Sequence, residues 1–284
     1  MTERTTATQI TELQDKAREL RRDIITMTTA AGSGHPTSSL SAVEILTALY
    51  FGGVLRYDPK RPAWPERDRF ILSKGHAAPV LYAVLAHAGY FSREELPTLR
   101  QLGSPLEGHP NMRRLPGVEA STGSLGQGLS IGLGHALAAG IDGLRFRVYV
   151  LLGDGENDEG QVWEAAMAAV KYRADNLVAI VDHNKYQQTG PTAEVLDLTP
   201  MIEKWQAFGW NSCEINGHDL REVLDAFHQA SQVRGRPTAI IAHTQKGRGI
   251  ASLLHELKDA NYHGKALPKD AAWKALDLLK YGER

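Results

Sequence analysis

The most informative spacing in the sequence belongs to two polar residues that follow apolar runs. Gly153-Asp154-Gly155 closes the run Arg147-Val148-Tyr149-Val150-Leu151-Leu152, and Asn184 lies thirty residues after the aspartate, just past Leu177-Val178-Ala179-Ile180-Val181 and Asp182-His183. A carboxylate and an amide oxygen brought together suit a hard divalent cation such as Mg²⁺ or Ca²⁺, which takes oxygen ligands and shares them with phosphates. The two glycines let a diphosphate approach the backbone, and a helix opening after Gly155 offers free N–H groups and the positive end of its dipole. A bare Gly-Asp-Gly is no more than a turn in which Asp caps a helix. The paired Asn at this distance is what favours a metal and diphosphate site. The chain also carries eleven histidines. His35, His76, His109 and His263 each sit beside a glycine in a loop-like segment, the setting in which functional side chains concentrate. Imidazole, with an unperturbed pKa of roughly 6.5, moves protons near neutral pH. His87, His135, His218, His228, His243 and His255 lack that setting and are expected to be surface or satisfied core residues. His183 is given no role.

The spacing makes a site only if both runs are strands that point the same way. Gln161 to Tyr172 reads as the helix between them, and a right-handed crossover then brings both strand ends to one sheet edge. A third run, Ala239-Ile240-Ile241-Ala242, ends at His243-Thr244-Gln245-Lys246-Gly247, after helical patterns near Pro200–Ala207 and Leu220–Ser231. Apolar strands alternating with helices predict an α/β fold, a parallel sheet with helices on both faces. Ligands of such sheets sit beyond the carboxyl ends of the strands. Upstream, Ile10, Leu13, Ala17, Leu20, Ile24 and Met27 form one helical stripe, and further helices are expected over Ser41–Tyr50 and Pro79–Ala88. Pro59–Arg69 and residues 103–124 read as loops. With no repeat, low-complexity stretch or linker, a single domain over residues 1–284 is expected.

Composition sets the outer limits. The chain has 284 residues, 42% hydrophobic and 23% charged, with a net charge of −1. This excludes disorder and offers no basic surface for nucleic acid or an anionic membrane. The lone Cys213 cannot form an intramolecular disulfide, and with no secretory signal a cytoplasmic location is expected. Gly123–Leu144 is uncharged up to Asp142, but it contains Gln127, His135 and six glycines before Asp142. It therefore reads as a buried small-residue helix, suited to a tight helix or subunit contact, and not as a membrane span. Dinucleotide, P-loop, zinc and serine-hydrolase signatures are absent.

With Gly153-Asp154-Gly155 and Asn184 in hand, the chain resembles the transketolase family. The other matching pieces are Ser33-Gly34-His35-Pro36, Leu72-Ser73-Lys74-Gly75-His76-Ala77, Gly108-His109-Pro110, Gly123-Ser124-Leu125-Gly126-Gln127-Gly128, Glu159-Gly160 and His263-Gly264-Lys265-Ala266. They stand in the family's order from about residue 20 to residue 268. Thr37 departs from the glycine that many relatives carry there. Family transketolases run to more than twice this length, so the resemblance covers only the domain that holds the diphosphate of thiamine diphosphate. It implies a thiamine diphosphate-binding fold in which Asp154, Asn184 and the main-chain oxygen of Tyr186 bind the metal. It implies that His76, Gly123, Ser124, Leu125, Gly155, Asn184 and His263 line the cofactor, and that His35, His109 and His263 surround the reacting carbon and hydroxyls of the sugar. Glu159 matches a glutamate at the interface between cofactor-bearing halves.

The resemblance implies an enzyme, the N-terminal subunit of a split transketolase, a transferase of pentose phosphate-type carbohydrate metabolism. It would move a two-carbon ketol unit from a ketose or ketose phosphate to an aldose or aldose phosphate. A separate C-terminal chain would complete it, most simply as α₂β₂. Two alternatives stand beside it. One is half of another thiamine diphosphate enzyme, of the 1-deoxyxylulose-5-phosphate synthase or 2-oxo acid dehydrogenase kind. The other is a non-catalytic subunit of the same fold.

Overall fold

The computed structural model describes residues 6–257, 259 and 261–281. The chain opens with α1 (Ala7–Ala31), started by a reciprocal capping box between Thr6 and Gln9 and ended by Gly32 at φ 61°. The stripe Ile10, Leu13, Ala17, Leu20, Ile24 and Met27 is buried. Burying a large aliphatic side chain is worth about 1.5–3 kcal/mol, so this helix is held mainly by its packed face. Then come α2 (Pro36–Leu40), α3 (Val43–Phe51), β1 (Arg69–Leu72), α4 (Ala78–Ala88), α5 (Gln127–Ile141), β2 (Val148–Gly153), α6 (Gly160–Lys171) and β3 (Leu177–His183). The remainder is α7 (Thr192–Val195), α8 (Met201–Ala207), β4 (Asn211–Asn216), α9 (Leu220–Gln232), β5 (Thr238–His243), α10 (Ala251–Glu256) and α11 (Lys269–Tyr281).

The five strands form one parallel sheet in the order β1-β2-β3-β5-β4. Because side chains alternate along a strand, each strand feeds two cores. Tyr149, Leu151, Val178, Ile180 and Ile240 join the core covered by α1, α3, α4 and α9. Val148, Val150, Leu152, Ala179, Val181 and Ile241 join the core under α5, α6 and α8. Helices on both faces explain why the strands read as unbroken apolar runs.

The expected α/β architecture is present, with five strands instead of three. The four-residue β1 begins where the expected loop ends. The edge strand β4, Asn-Ser-Cys-Glu-Ile-Asn, is only half-buried and so carries little apolar signal. The short α2 precedes the helix expected from Ser41, which begins at Val43. The helix after Gly155 also starts later than expected. A 3₁₀ turn, Gly155–Asp158, comes first and α6 opens at Gly160. The turn folds Glu156 inward, where its carboxylate accepts from the backbone N–H groups of Gly153 and Gly126. The small residues of α5 serve a helix-on-sheet contact. A Cβ on Gly128 would stand 2.3 Å from Ser73 Oγ, and one on Gly132 2.5 Å from Val150 Cγ2, whereas Gly134 and Gly140 meet open space.

Candidate active site

The carboxyl ends of the four inner and adjoining strands converge on two aspartates. Asp182 is wholly buried at the end of β3. Lys74, just past β1, pairs with its carboxylate, Ser41 Oγ donates at 2.6 Å, Asn184 Nδ2 at 3.1 Å, and Thr244 donates from beyond β5. Burial alone would raise this carboxyl, but Lys74 and the hydroxyl donors hold it below its ordinary range. A buried pair survives only when its remaining lone pairs and protons are satisfied. Lys74 meets that condition by also donating to Ser38 O at 3.0 Å.

Asp154, at the end of β2, is treated differently. Its partners are backbone N–H groups, Gly155 at 2.9 Å and Lys185. Burial first, and then the neighbouring Asp182, push it up to about 7. A carboxylate so short of positive charge suits a cation. Asn184 Oδ1 accepts from Tyr186 N at 3.1 Å while its Nδ2 is committed to Asp182, which turns its oxygen toward the loop that follows. Lys185, at φ 68°, makes the tight turn from Asn184 to Tyr186. All donors here are oxygens, as a hard divalent ion requires.

These strand ends floor a cleft of about 480 Å³ lined by His35, His76, His109, His263, Gly123, Leu125, Asp154, Gly155, Glu159, Asn184 and Tyr186 among others. The rings of His35 and His263 are 4.6 Å apart between centroids, those of His76 and His263 5.0 Å, and those of His35 and His76 5.1 Å. Pro36 fixes the entry to α2 and leaves His35 at its N-cap. His109 packs against Gly123, where φ is 153° and a Cβ would stand 3.0 Å from the imidazole. A Cβ on Gly155 would stand 2.7 Å from Gln187 Cβ, so at both glycines a neighbouring side chain packs directly against the backbone of the cleft. Ser124, between the cleft residues Gly123 and Leu125, is exposed and does not line the cleft. Glu159 stands at the rim, at the N-cap of α6.

Burial and the neighbouring cations keep the imidazoles neutral. His35 is pushed down to about 3 by burial and then by His263, and His263 to about 4 by burial and then by Lys246. His76 is driven well below its ordinary value by burial and Lys74, and His109 is lowered by burial and Arg100. Nδ1 of both His35 and His263 is buried without a hydrogen-bond partner among the described residues. Such atoms await a ligand or water. Thr37 ties the segments together, accepting from Gly247 N at 3.1 Å and donating to Asn261 O at 3.3 Å. The first bond uses the backbone carbonyl, so the departure at this position adds only the hydroxyl bond to Asn261 O.

Lys74, Asp182, Glu156 and Lys246 complete the site and were not singled out from sequence. Their signal was a charge at or just past the end of an apolar run, inside segments already quoted for other residues. Lys246 is buried and lowered to about 8 by burial and then by Lys74. With Lys74 balanced by Asp182, Lys246 is the buried ammonium near the cleft that favours an anion. Among the remaining histidines, His218 Nδ1 is 3.0 Å from Glu44 and His87 Nε2 is 2.7 Å from Asp23. Both are structural.

Residues 11–280 match the family model described as "Transketolase, thiamine diphosphate binding domain". The 6-deoxy-6-sulfo-D-fructose transketolase subunit of Clostridium sp. (strain MSTE9) is 45% identical over 264 residues, 93% of this chain and 94% of that protein. Transketolase-like protein 2 of Bos taurus is 48% identical over 278 residues, 96% of this chain but only 43% of its own length. The crystal structure of transketolase from Campylobacter jejuni superposes with a TM-score of 0.80 at 32% identity, over 96% of this chain and 47% of that one. The chain thus spans nearly all of the clostridial subunit and less than half of the other two proteins.

Proposed function

The chain belongs to the transketolase family, and we propose that it is the N-terminal, thiamine diphosphate-holding subunit of a two-chain transketolase. The observation that carries this reading is the convergence of three imidazoles, with centroids 4.6 to 5.1 Å apart, over strand ends bearing Asp154 and Asn184. The match to nearly the whole of a protein named as a subunit supports the two-chain form.

The reaction is transfer of a two-carbon ketol unit from a ketose or ketose phosphate to an aldose or aldose phosphate. When bound, thiamine diphosphate supplies the nucleophilic carbon and stores the electrons of the cleaved carbon–carbon bond. In this reading Asp154, Asn184 and the main-chain oxygen of Tyr186 hold Mg²⁺ or Ca²⁺ against the diphosphate. Gly155, Gly123, Leu125 and His76 line the cofactor, and Lys246 adds positive potential. His35, His109 and His263 face the sugar as neutral imidazoles, each with one nitrogen to donate and one to accept. Glu159 faces the partner chain, which completes the cofactor site in an α₂β₂ assembly. The free, half-buried Cys213 agrees with a cytoplasmic setting.

Coexpression with the neighbouring reading frame, followed by ketol-transfer assays on several ketoses with and without phosphate, tests the reading. Ketol transfer dependent on thiamine diphosphate and a divalent metal is expected. A cofactor-loaded complex that decarboxylates a 2-oxo acid but transfers no ketol unit would overturn it.

A further inference from the structure

Arg100 lies outside the short motif segments quoted for the resemblance, yet it touches two of them. Its φ is 59°, a left-handed conformation that a residue with a Cβ rarely adopts. Its backbone N–H donates to Leu106 O at 2.8 Å and closes the loop between them. From this turn the guanidinium Nη1 donates to Ser33 Oγ at 3.1 Å. The same group lies against Gly108, where a Cβ would stand 2.9 Å from both Cζ and Nη2. One planar group therefore contacts the residue two before His35 and the residue just before His109. On the inner side the Tyr82 hydroxyl reaches the carbonyls of Glu107 and His109, at 2.9 and 3.1 Å.

We propose that Arg100 is a positioning residue for the reaction: its guanidinium clamps the Ser33–His35 segment to the Gly108–Pro110 segment and keeps a fixed positive charge beside the two imidazoles. Only the kinetic test of this inference rests on the ketol-transfer reading. The geometry asks for arginine specifically. A flat fork can bond Ser33 while lying on Gly108, whereas an ammonium is a point donor on a flexible stem. The charged and titratable groups facing His35 are His263, Arg100, His109, Lys246 and His76, and those facing His109 are Arg100 and His35. Burial is the larger influence on each, and Arg100 acts in the same direction.

The test uses Arg100→Gln, Arg100→Lys and Gly108→Ala, each first checked for an unchanged thermal midpoint. Gly108→Ala keeps the charge but drives the guanidinium off its seat. Ring-proton titrations of the full chain by NMR should show the His109 and His35 midpoints rising in Arg100→Gln and staying low in Arg100→Lys, with exposed His228 unmoved. In the complex with the partner chain, kcat should fall about 10- to 100-fold in Arg100→Gln and Gly108→Ala, the scale of a misplacement of about 1 Å, with cofactor affinity unchanged. Midpoints unmoved in Arg100→Gln, together with kcat within about twofold of the parent in both variants, would overturn the inference. Should the parent complex show no ketol transfer at all, the functional reading falls while the titrations still decide the role of Arg100.

Discussion

Asp154 and Asp182 end neighbouring strands as chemically identical groups, and their surroundings drive them apart. Lys74, Ser41, Thr244 and Asn184 saturate Asp182, while Asp154 has backbone N–H donors alone and is raised to about 7. Only Asp154 has a use for an added cation. Asp154→Ala should therefore leave a folded chain that no longer retains cofactor. Calorimetric titration of thiamine diphosphate with Mg²⁺ into the assembled enzyme checks this, and unchanged affinity would refute the metal assignment. Substituting His35, His109 or His263 by alanine should lower kcat by roughly 10²–10⁴-fold, the usual worth of a general acid–base group. His228→Ala, an exposed residue on α9, should not; equal losses in all four would dissolve the constellation. Asp154 and Asn184 stood out because each is a polar side chain just past an apolar run, at a spacing that one helix and one strand fill. The Lys74–Asp182 and Ser73–Glu156 contacts did not, since their partners lie 108 and 83 positions apart and only the folded sheet brings them together.

At the scale of elements, α5 makes a sharp contrast between glycines of one helix. Gly128→Ala would press a Cβ into the Ser73 side chain and Cα, at 2.4 and 2.8 Å. Overpacking of this kind costs typically about 1–3 kcal/mol. Gly134→Ala meets nothing within 4 Å and should stabilise the isolated chain by about 0.5–1 kcal/mol through helix propensity. Urea unfolding of both variants checks the two signs. A second device joins α1, α3 and the start of α9, where Glu44 bonds Arg21 at 2.5 Å and His218 at 3.0 Å. Burial would raise Glu44, but Arg21 and His218 outweigh it and hold the carboxyl down to about 2. The stability it lends is thus fully present above about pH 4.5, the ordinary carboxyl value, and is lost as pH falls toward 2. Glu44→Gln should flatten that part of the acid unfolding curve. It should also cost about 3–5 kcal/mol at neutral pH by leaving Arg21 buried and unpaired. The long helices and central strands were legible from period and apolar runs, because burial decides their pattern. The edge strand β4 was not, because half of its surface faces solvent and its residues are polar.

For the whole molecule, the central claim is incompleteness. The cleft opens past the strand ends, its rim carries Glu159, and the chain covers 94% of a protein named as a subunit but 43% of the bovine relative. Exposed apolar side chains remain on α5, α6 and α11, at Ile141, Met167 and Trp273. Among the described residues no helix is long and apolar enough to cross a membrane. The family's motif order made this partial match visible in sequence, whereas the closure of four separate loops around one cleft required the sheet. The most direct measurement is a ketol-transfer assay on the purified chain alone and after addition of the purified partner chain, with light scattering and mass spectrometry to define what is present. The account predicts no turnover by the chain alone and full turnover only in the two-chain assembly. Full turnover by a pure homo-oligomer of this chain would contradict it.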